Sequence, residues 1–372
     1  MLAPDGKHVL FSLEKGEKDS FLKVKDINGT TVFEHERSSK GMFSYDSNHV
    51  FFTIKAWKDS IVAMKSRKVK KKDLPKDSLG IFNLNLNDLV KIGNVKSYKS
   101  PKEWSGYVAY TLEEIKKEEE KDSLSEKKEK KKKPKKVGKK NGYHVVLRNL
   151  ETNKEDTLKF VTHFTFAKKG KSFAYSSSGT DKDSLAGVFV MNLENGQTQS
   201  IHRARKAKYF QLEFGESGKN LGFVVDTDTT KIQIRPNELF HWKEGASEAK
   251  KMVDTESAPT GYLVSSDGKV SFSKDESKLF FGLRRPPVIK DTTLTNEEIV
   301  NVEVWTYDEP RLYTVQELDL KKDTVRSFQA AIQLKTDKLV QLATTDYPNS
   351  ELGNEGNAHY ALTSASDPYR LE

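Results

Sequence analysis

The stretch His163-Phe164-Thr165-Phe166-Ala167, Lys169-Gly170-Lys171, Ser172-Phe173-Ala174-Tyr175-Ser176 runs on into Gly187-Val188-Phe189-Val190-Met191-Asn192-Leu193, Glu194-Asn195-Gly196 and Thr198-Gln199-Ser200-Ile201. The first, third and fourth segments are short runs rich in β-branched and aromatic residues, which fit a pleated, half-buried surface. Between them lie turn residues, and Asn195-Gly196 supplies the positive φ that a tight type I′ hairpin requires. Thr198–Ile201 is more polar and reads as a fourth strand at a sheet edge. The unit is therefore four antiparallel strands, apolar inside and polar outside.

The same grammar recurs on both sides. Six short polar turns, Pro4–Lys7, Tyr45–Asn48, Trp104–Gly106, Lys168–Lys171, Gly215–Lys219 and Lys274–Lys278, each hand over to an apolar strand. Unit one reads as Val9–Leu13, Phe21–Lys25 and Thr31–Phe33. Unit two has Val50–Ile54, a basic loop to Pro75, then Leu79–Leu84 and Leu89–Ile92. Unit three has Tyr107–Tyr110, a Lys-rich insertion, then His144–Leu150. Unit five has Leu221–Val225 and Asn237–Trp242. Unit six has Leu279–Leu283, Val302–Trp305, and the pair Phe328–Leu334 with Leu339–Leu342. A seventh opens at Ala358–Leu362. Repetition of one small all-β unit predicts a β-propeller of four-stranded antiparallel blades, about six to seven of them. Unit one has no first strand before Pro4 and unit seven only an opening, so residues 1–372 read as one propeller domain cut at both ends.

Charge is unevenly placed. The net charge of +9 invites a nucleic-acid reading, but Lys116–Lys140 alone holds 13 Lys against six carboxylates, a local +7 that leaves about +2 elsewhere. That segment has no aromatic for base stacking. Residues 113–141 are expected to be a charged, low-complexity insertion that begins helix-compatible at Glu113-Glu114-Ile115-Lys116 and ends by Pro134 and Gly138. Nucleic acid is not expected as a partner, although a polyanion held by this insertion is one alternative. The chain has no cysteine, which removes disulfides, thiolate metal sites and a Cys nucleophile. No run approaches the roughly 18 apolar residues of a membrane span.

The search for chemistry ends without a catalytic group. Gly170-Lys171-Ser172-Phe173-Ala174 is the closest approach to a nucleophile elbow, but its serine opens a strand and no helix follows. The eight histidines show neither helical metal spacing nor an H-E-x-x-H motif. No cofactor and no metal site are expected.

One segment is more specific. Glu303-Val304-Trp305-Thr306-Tyr307-Asp308-Glu309-Pro310-Arg311-Leu312-Tyr313-Thr314-Val315-Gln316 resembles the D-V-W-x-W-x-D-x-x-L-x-x-x-Q signature of large bacterial prolyl-oligopeptidase-like serine peptidases, where it lies in the N-terminal propeller. Glu303 stands where Asp is usual, and Tyr307 where Trp is usual. Pro75–Ile81, Phe272–Asp275 with Leu279–Gly282, and Asp367-Pro368-Tyr369-Arg370 are similar to the same group. The resemblance implies a non-catalytic propeller whose partners are its own C-terminal α/β-hydrolase domain, which carries a Ser-Asp-His triad, and peptide substrates. It would gate peptide access and dock the catalytic domain, in a parent that is periplasmic or secreted; a cytoplasmic parent is the alternative. In dipeptidyl-peptidase-like relatives, propeller carboxylates bind the substrate amine, and no residue here matches that motif. Trp305, Tyr307, Asp308, Arg311, Tyr313 and Gln316 are the candidate docking or peptide-contact residues. Trp305 also fits inter-sheet packing, as aromatics on alternating strands commonly do. A stand-alone TolB-like propeller acting as a protein-interaction scaffold is the competing reading.

Overall fold

The computed structural model describes residues 1–372 apart from 15, 17, 114–134, 181, 182, 184, 231, 290, 292, 296, 299–305, 307, 308, 310 and 367–372. It divides into two compact units. The first comprises Met1–Thr162, Lys168–Lys171 and Ser177–Asp183, and the second His163–Ala167, Ser172–Ser176 and Ser184–Glu372.

In the first unit, β1 (His8–Leu13), β2 (Phe21–Asp26) and β3 (Thr31–Glu36) make a three-stranded sheet. Next, β4 (Ser38–Phe43), β5 (His49–Ile54), β6 (Ser78–Asn83) and β7 (Asp88–Ile92) make a four-stranded one. After it, β8 (Val95–Lys99), β9 (Tyr107–Leu112) and β10 (Tyr143–Asn149) pair in order with the start of β11 (Glu155–Phe166). In the second unit, the end of β11 continues into β12 (Ser172–Ser177), β13 (Leu185–Asn192) and β14 (Thr198–Arg205). Then come β15 (Lys208–Phe214), β16 (Asn220–Asp226), β17 (Asn237–Lys243) and β18 (Lys250–Val253). β19 (Leu263–Val264), β20 (Ser271–Phe272), β21 (Lys278–Arg284), β22 (Phe328–Gln333) and β23 (Lys338–Gln341) form the next sheet, and β24 (Asn349–Leu352) pairs with β25 (Ala361–Ser364). Neighbouring strands pair antiparallel and in chain order, except that β19 and β20 both pair with β21. The fold is all-β, of the β-propeller type, with helices only as additions between strands.

Alternation along the second strand of each blade explains why these strands look apolar throughout. On β16, Leu221, Phe223 and Val225 enter a core shared with β12–β15 and β17, while Val224 enters the next core with Val264, Leu279, Phe281 and Ile332. On β5, Val50, Phe52 and Ile54 pack with Leu10 and Leu22, whereas Phe51 joins Leu79, Val108 and Tyr110. A strand covered on both faces loses the polar half of its pattern. Close approach adds a second constraint. A Cβ on Gly80 of β6 would sit 2.4 Å from the Phe52 ring, so only glycine fits there.

Five of the six expected turns share one hydrogen bond. The amide of Ala3, Ser44, Ala167, Gly215 or Ser273 donates to the carbonyl five residues on, at 2.8–3.0 Å. The residue at the fourth position of each has positive φ: Gly6, Ser47, Gly170, Gly218 and Glu276. In two of them an aspartate ties the loop. Ser273 Oγ donates to Asp275 Oδ1 (2.6 Å), which also accepts from the Ser277 amide (3.0 Å). The Asp46 turn repeats this with Ser44 and the Asn48 amide.

Several expectations are corrected. The first strands β4, β8 and β15 stand where no strand is expected from the sequence. β4 and β15 are bulged, with Lys40 (φ 55°) and Gln211 (φ 54°) at the register shifts, and such bulges break the alternation that marks a strand. Unit one does have a strand stub before Pro4, since Leu2 bridges Val9. The basic loop of unit two contains the helix α1 (Lys58–Ser66). The third strand of unit six is β22, which pairs with β21 directly (Leu279 with Ile332). Val302–Trp305, expected to take that place, lies outside the described residues, as do most of 113–141 and Asp367–Arg370. The seventh unit opens earlier than expected, at Asn349.

Candidate functional site

Three serines come near the chemistry of a nucleophile, and local geometry disposes of each. Ser172 opens β12, and its carbonyl closes the preceding turn by accepting from the Ala167 amide at 2.9 Å. It is a strand serine, as its sequence context implies. Ser38 is fully buried and donates to the Glu36 carbonyl at 3.0 Å. His35 Nδ1 lies 2.8 Å from Ser38 Oγ and 2.7 Å from the same carbonyl. A carbonyl only accepts, so Nδ1 carries the proton and cannot take one from the serine. Ser217 donates to Glu276 Oε2 at 2.8 Å rather than to an imidazole.

That last contact belongs to a larger latch. Glu276, in the turn before β21, accepts from the Ser217 amide, the Ser217 hydroxyl and Asn220 Nδ2. Asn220 Oδ1 in turn accepts from His241 Nε2 at 2.9 Å. Burial, with Lys243 and Lys250 adding to it, holds the His241 pKa down at about 4. The network joins the β15–β18 sheet to the β19–β23 sheet. His202 is similarly absorbed, 2.9 Å from the Tyr209 hydroxyl and edge-on to Phe240, and burial lowers its pKa. Among the described residues, no group of three or more His, Asp or Glu side chains could hold a metal ion.

The six candidate docking residues divide. Trp305, Tyr307 and Asp308 lie outside the described residues. Arg311, Tyr313 and Gln316 stand at the start of a second helix, α2 (Tyr313–Thr324), placed between β21 and β22. Arg311 Nη2 donates to Asp323 Oδ2 at 2.8 Å, and Asp319 Oδ2 lies 3.8 Å from Nη1. Gln316 Nε2 donates to the Arg311 carbonyl at 2.9 Å and to Glu309 Oε2 at 3.3 Å. Tyr313 donates to Glu317 Oε1 at 3.0 Å. Arg311 and Gln316 are thus brought together, and Tyr313 engages its own helix. No residue of α2 is buried, and Leu318 and Leu320 are largely exposed. A helix of this length draws its stability from packing or from side-chain pairs. Here the pairs are present, and no residue of the helix is buried.

The basic loop of unit two carries more of the charge than the Lys116–Lys140 run alone suggests. Residues 55–77 hold nine Lys and Arg against three Asp, and taking both basic segments from the chain's +9 leaves −4. The remainder is mildly acidic, not neutral. A running count of charge over shorter windows would have found it.

No protein-family model matches the chain. No curated protein matches it either. Among solved structures it is similar to the tricorn protease, at 11% identity and a TM-score of 0.43, over 99% of this chain and 34% of that one. It is also similar to a prolyl endopeptidase, at 11% and 0.41, over 93% and 41%. An oligogalacturonate lyase in complex with manganese matches at 9% and 0.39, over 93% and 76%. The chain therefore spans well under half the length of those two peptidases.

Proposed function

We propose that this chain is the non-catalytic propeller of a prolyl-oligopeptidase-like serine peptidase, which gates peptide access and docks a separate α/β-hydrolase domain. The observation that carries the reading is the Glu303–Gln316 signature, whose described end opens an exposed helix. A helix with exposed Leu312, Leu318 and Leu320 gains from being covered. In this reading Trp305, Tyr307, Asp308, Arg311, Tyr313 and Gln316 meet the hydrolase body or the incoming peptide. The attacking serine comes from that body and not from this chain, and the parent works in the periplasm or outside the cell.

The native protein tests this. Antibodies raised against the chain should detect, in extracts of the source cells, a species longer than its 42.3 kDa that takes up a fluorophosphonate label. A native antigen of that same mass, free of label, would overturn the peptidase reading in favour of a stand-alone TolB-like scaffold.

A further inference from the structure

The hairpin between β5 and β6 is filled by the +6 segment of residues 55–77. Six of its cations fall within eight residues: Lys65, Arg67, Lys68, Lys70, Lys71 and Lys72. All six are exposed, and among the described residues none has an acidic partner. The helix dipole accounts for Lys65, in the last turn of α1, because cations are favoured there. It does not account for Lys70, Lys71 and Lys72, which lie beyond the helix. Six cations so close repel one another, and that standing cost falls when an anionic surface covers them.

The root of the insertion is fixed. The Arg37 guanidinium lies 4.5 Å over the Trp57 ring, and the Lys55 amide donates to the Arg37 carbonyl at 2.8 Å. The Lys58 amide donates to Asp19 Oδ1 at 3.2 Å, and its ammonium to the Lys18 carbonyl. Trp57 remains 46% exposed at this root, and Val62 is 65% exposed. Val62 lies three residues before Lys65 and therefore neighbours it on the helix surface.

This combination discriminates between polyanions. Nucleic-acid surfaces interleave cations with several aromatics that stack on bases, and residues 55–77 hold one aromatic, Trp57, at the root and none among the clustered cations. Exposed apolar side chains beside clustered Lys and Arg instead suit the interface of an anionic bilayer, where a tryptophan sits at headgroup level and cations meet phosphate. We propose that the 55–77 insertion binds an anionic phospholipid surface, with Trp57 and Val62 at the interface and the Lys65–Lys72 cluster on the headgroups. Neither the signature segment nor α2 enters this inference.

Vesicle flotation tests it. The chain should float with phosphatidylcholine vesicles containing about one-third phosphatidylglycerol and not with phosphatidylcholine alone, with binding that fades as salt rises past about 0.1 M. Trp57 emission should shift to the blue on binding, and Trp57→Phe should lose that change. Replacing all six cations by glutamine, at up to about 1 kcal/mol each, should weaken vesicle binding by at least about 100-fold while leaving the melting temperature unchanged. If the sixfold variant does not fold, Lys71→Glu with Lys72→Glu tests the same surface. Equal binding to both vesicle types, undiminished binding by the charge variants, or binding to a short DNA duplex without vesicle binding would each overturn the proposal.

Discussion

Replacing His241 by glutamine should flatten the acid side of the chain's stability profile. The ring sits on β17 between the Asn220 amide oxygen and Phe272, and burial with two nearby lysines depresses its pKa from 6.5 to about 4. The unfolded chain therefore takes up this proton first as the pH falls. The cost to the folded state is absent above pH 6.5, grows between 6.5 and 4, and is complete below 4. At roughly 1.4 kcal/mol per tenfold difference in proton affinity, the full depression sets a ceiling of about 3.4 kcal/mol, and near pH 5 about 2. Water reaches part of the ring, so about half of that, roughly 1 kcal/mol at pH 5, is the expected loss. Glutamine keeps a donor for Asn220 and does not titrate. Urea unfolding of the parent and of His241→Gln at pH 7 and pH 5 reads the difference directly. His35, His49 and His202 also have lowered values and contribute the same sign in both proteins, so comparison of the two isolates one group. If the parent and variant lose the same stability between pH 7 and 5, the assignment of His241 as a buried, neutral latch residue is wrong.

Two further substitutions test the packing. Gly80→Ala should cost about 1–3 kcal/mol, because the added methyl meets the fully buried Phe52 ring; thermal unfolding with no loss would mean that the ring has room to move. Glu276→Gln keeps the shape but halves the acceptors facing Ser217 and Asn220, and should cost about 1–3 kcal/mol. Its double mutant with Ser217→Ala should fall short of additivity, and strict additivity would count against a shared network.

The turns were the most legible part of the sequence because their constraint is local. A five-residue loop with positive φ at its fourth position needs Gly, or a polar residue that tolerates that region, and four of the five are written Gly or Ser. The second strands were legible for a different reason: burial on both faces leaves little besides Val, Leu and Phe. The first strands were not. Ser38-Ser39-Lys40-Gly41-Met42-Phe43 has neither alternation nor an apolar run, and its pairing is carried by backbone groups around a bulge at Lys40. The Asn220–Glu276–Ser217 latch was hidden as well, since it joins side chains more than fifty residues apart.

The additions obey a rule that the repeat itself explains. Residues 55–77, 113–142 and 285–327 all fall in the hairpin between the second and third strands of a blade, β5 to β6, β9 to β10 and β21 to β22. Five of the six first-to-second turns are locked by the five-residue hydrogen bond, and the third-to-fourth turns stay short, with positive φ at Gly29, Asn87, Asn153, Gly196, Gly245 and Asp337. Lengthening either would disturb a register that two cores read at once, because every second residue faces a different neighbouring sheet. Among the described residues the second-to-third hairpins carry no such bond, and closing a longer loop costs only about 0.6 kcal/mol for each doubling of its length. Variation therefore collects at that one position in the blade. The basic cluster on 55–77 and the exposed helix on 285–327 are where the chain could gain a partner without altering the fold that presents it.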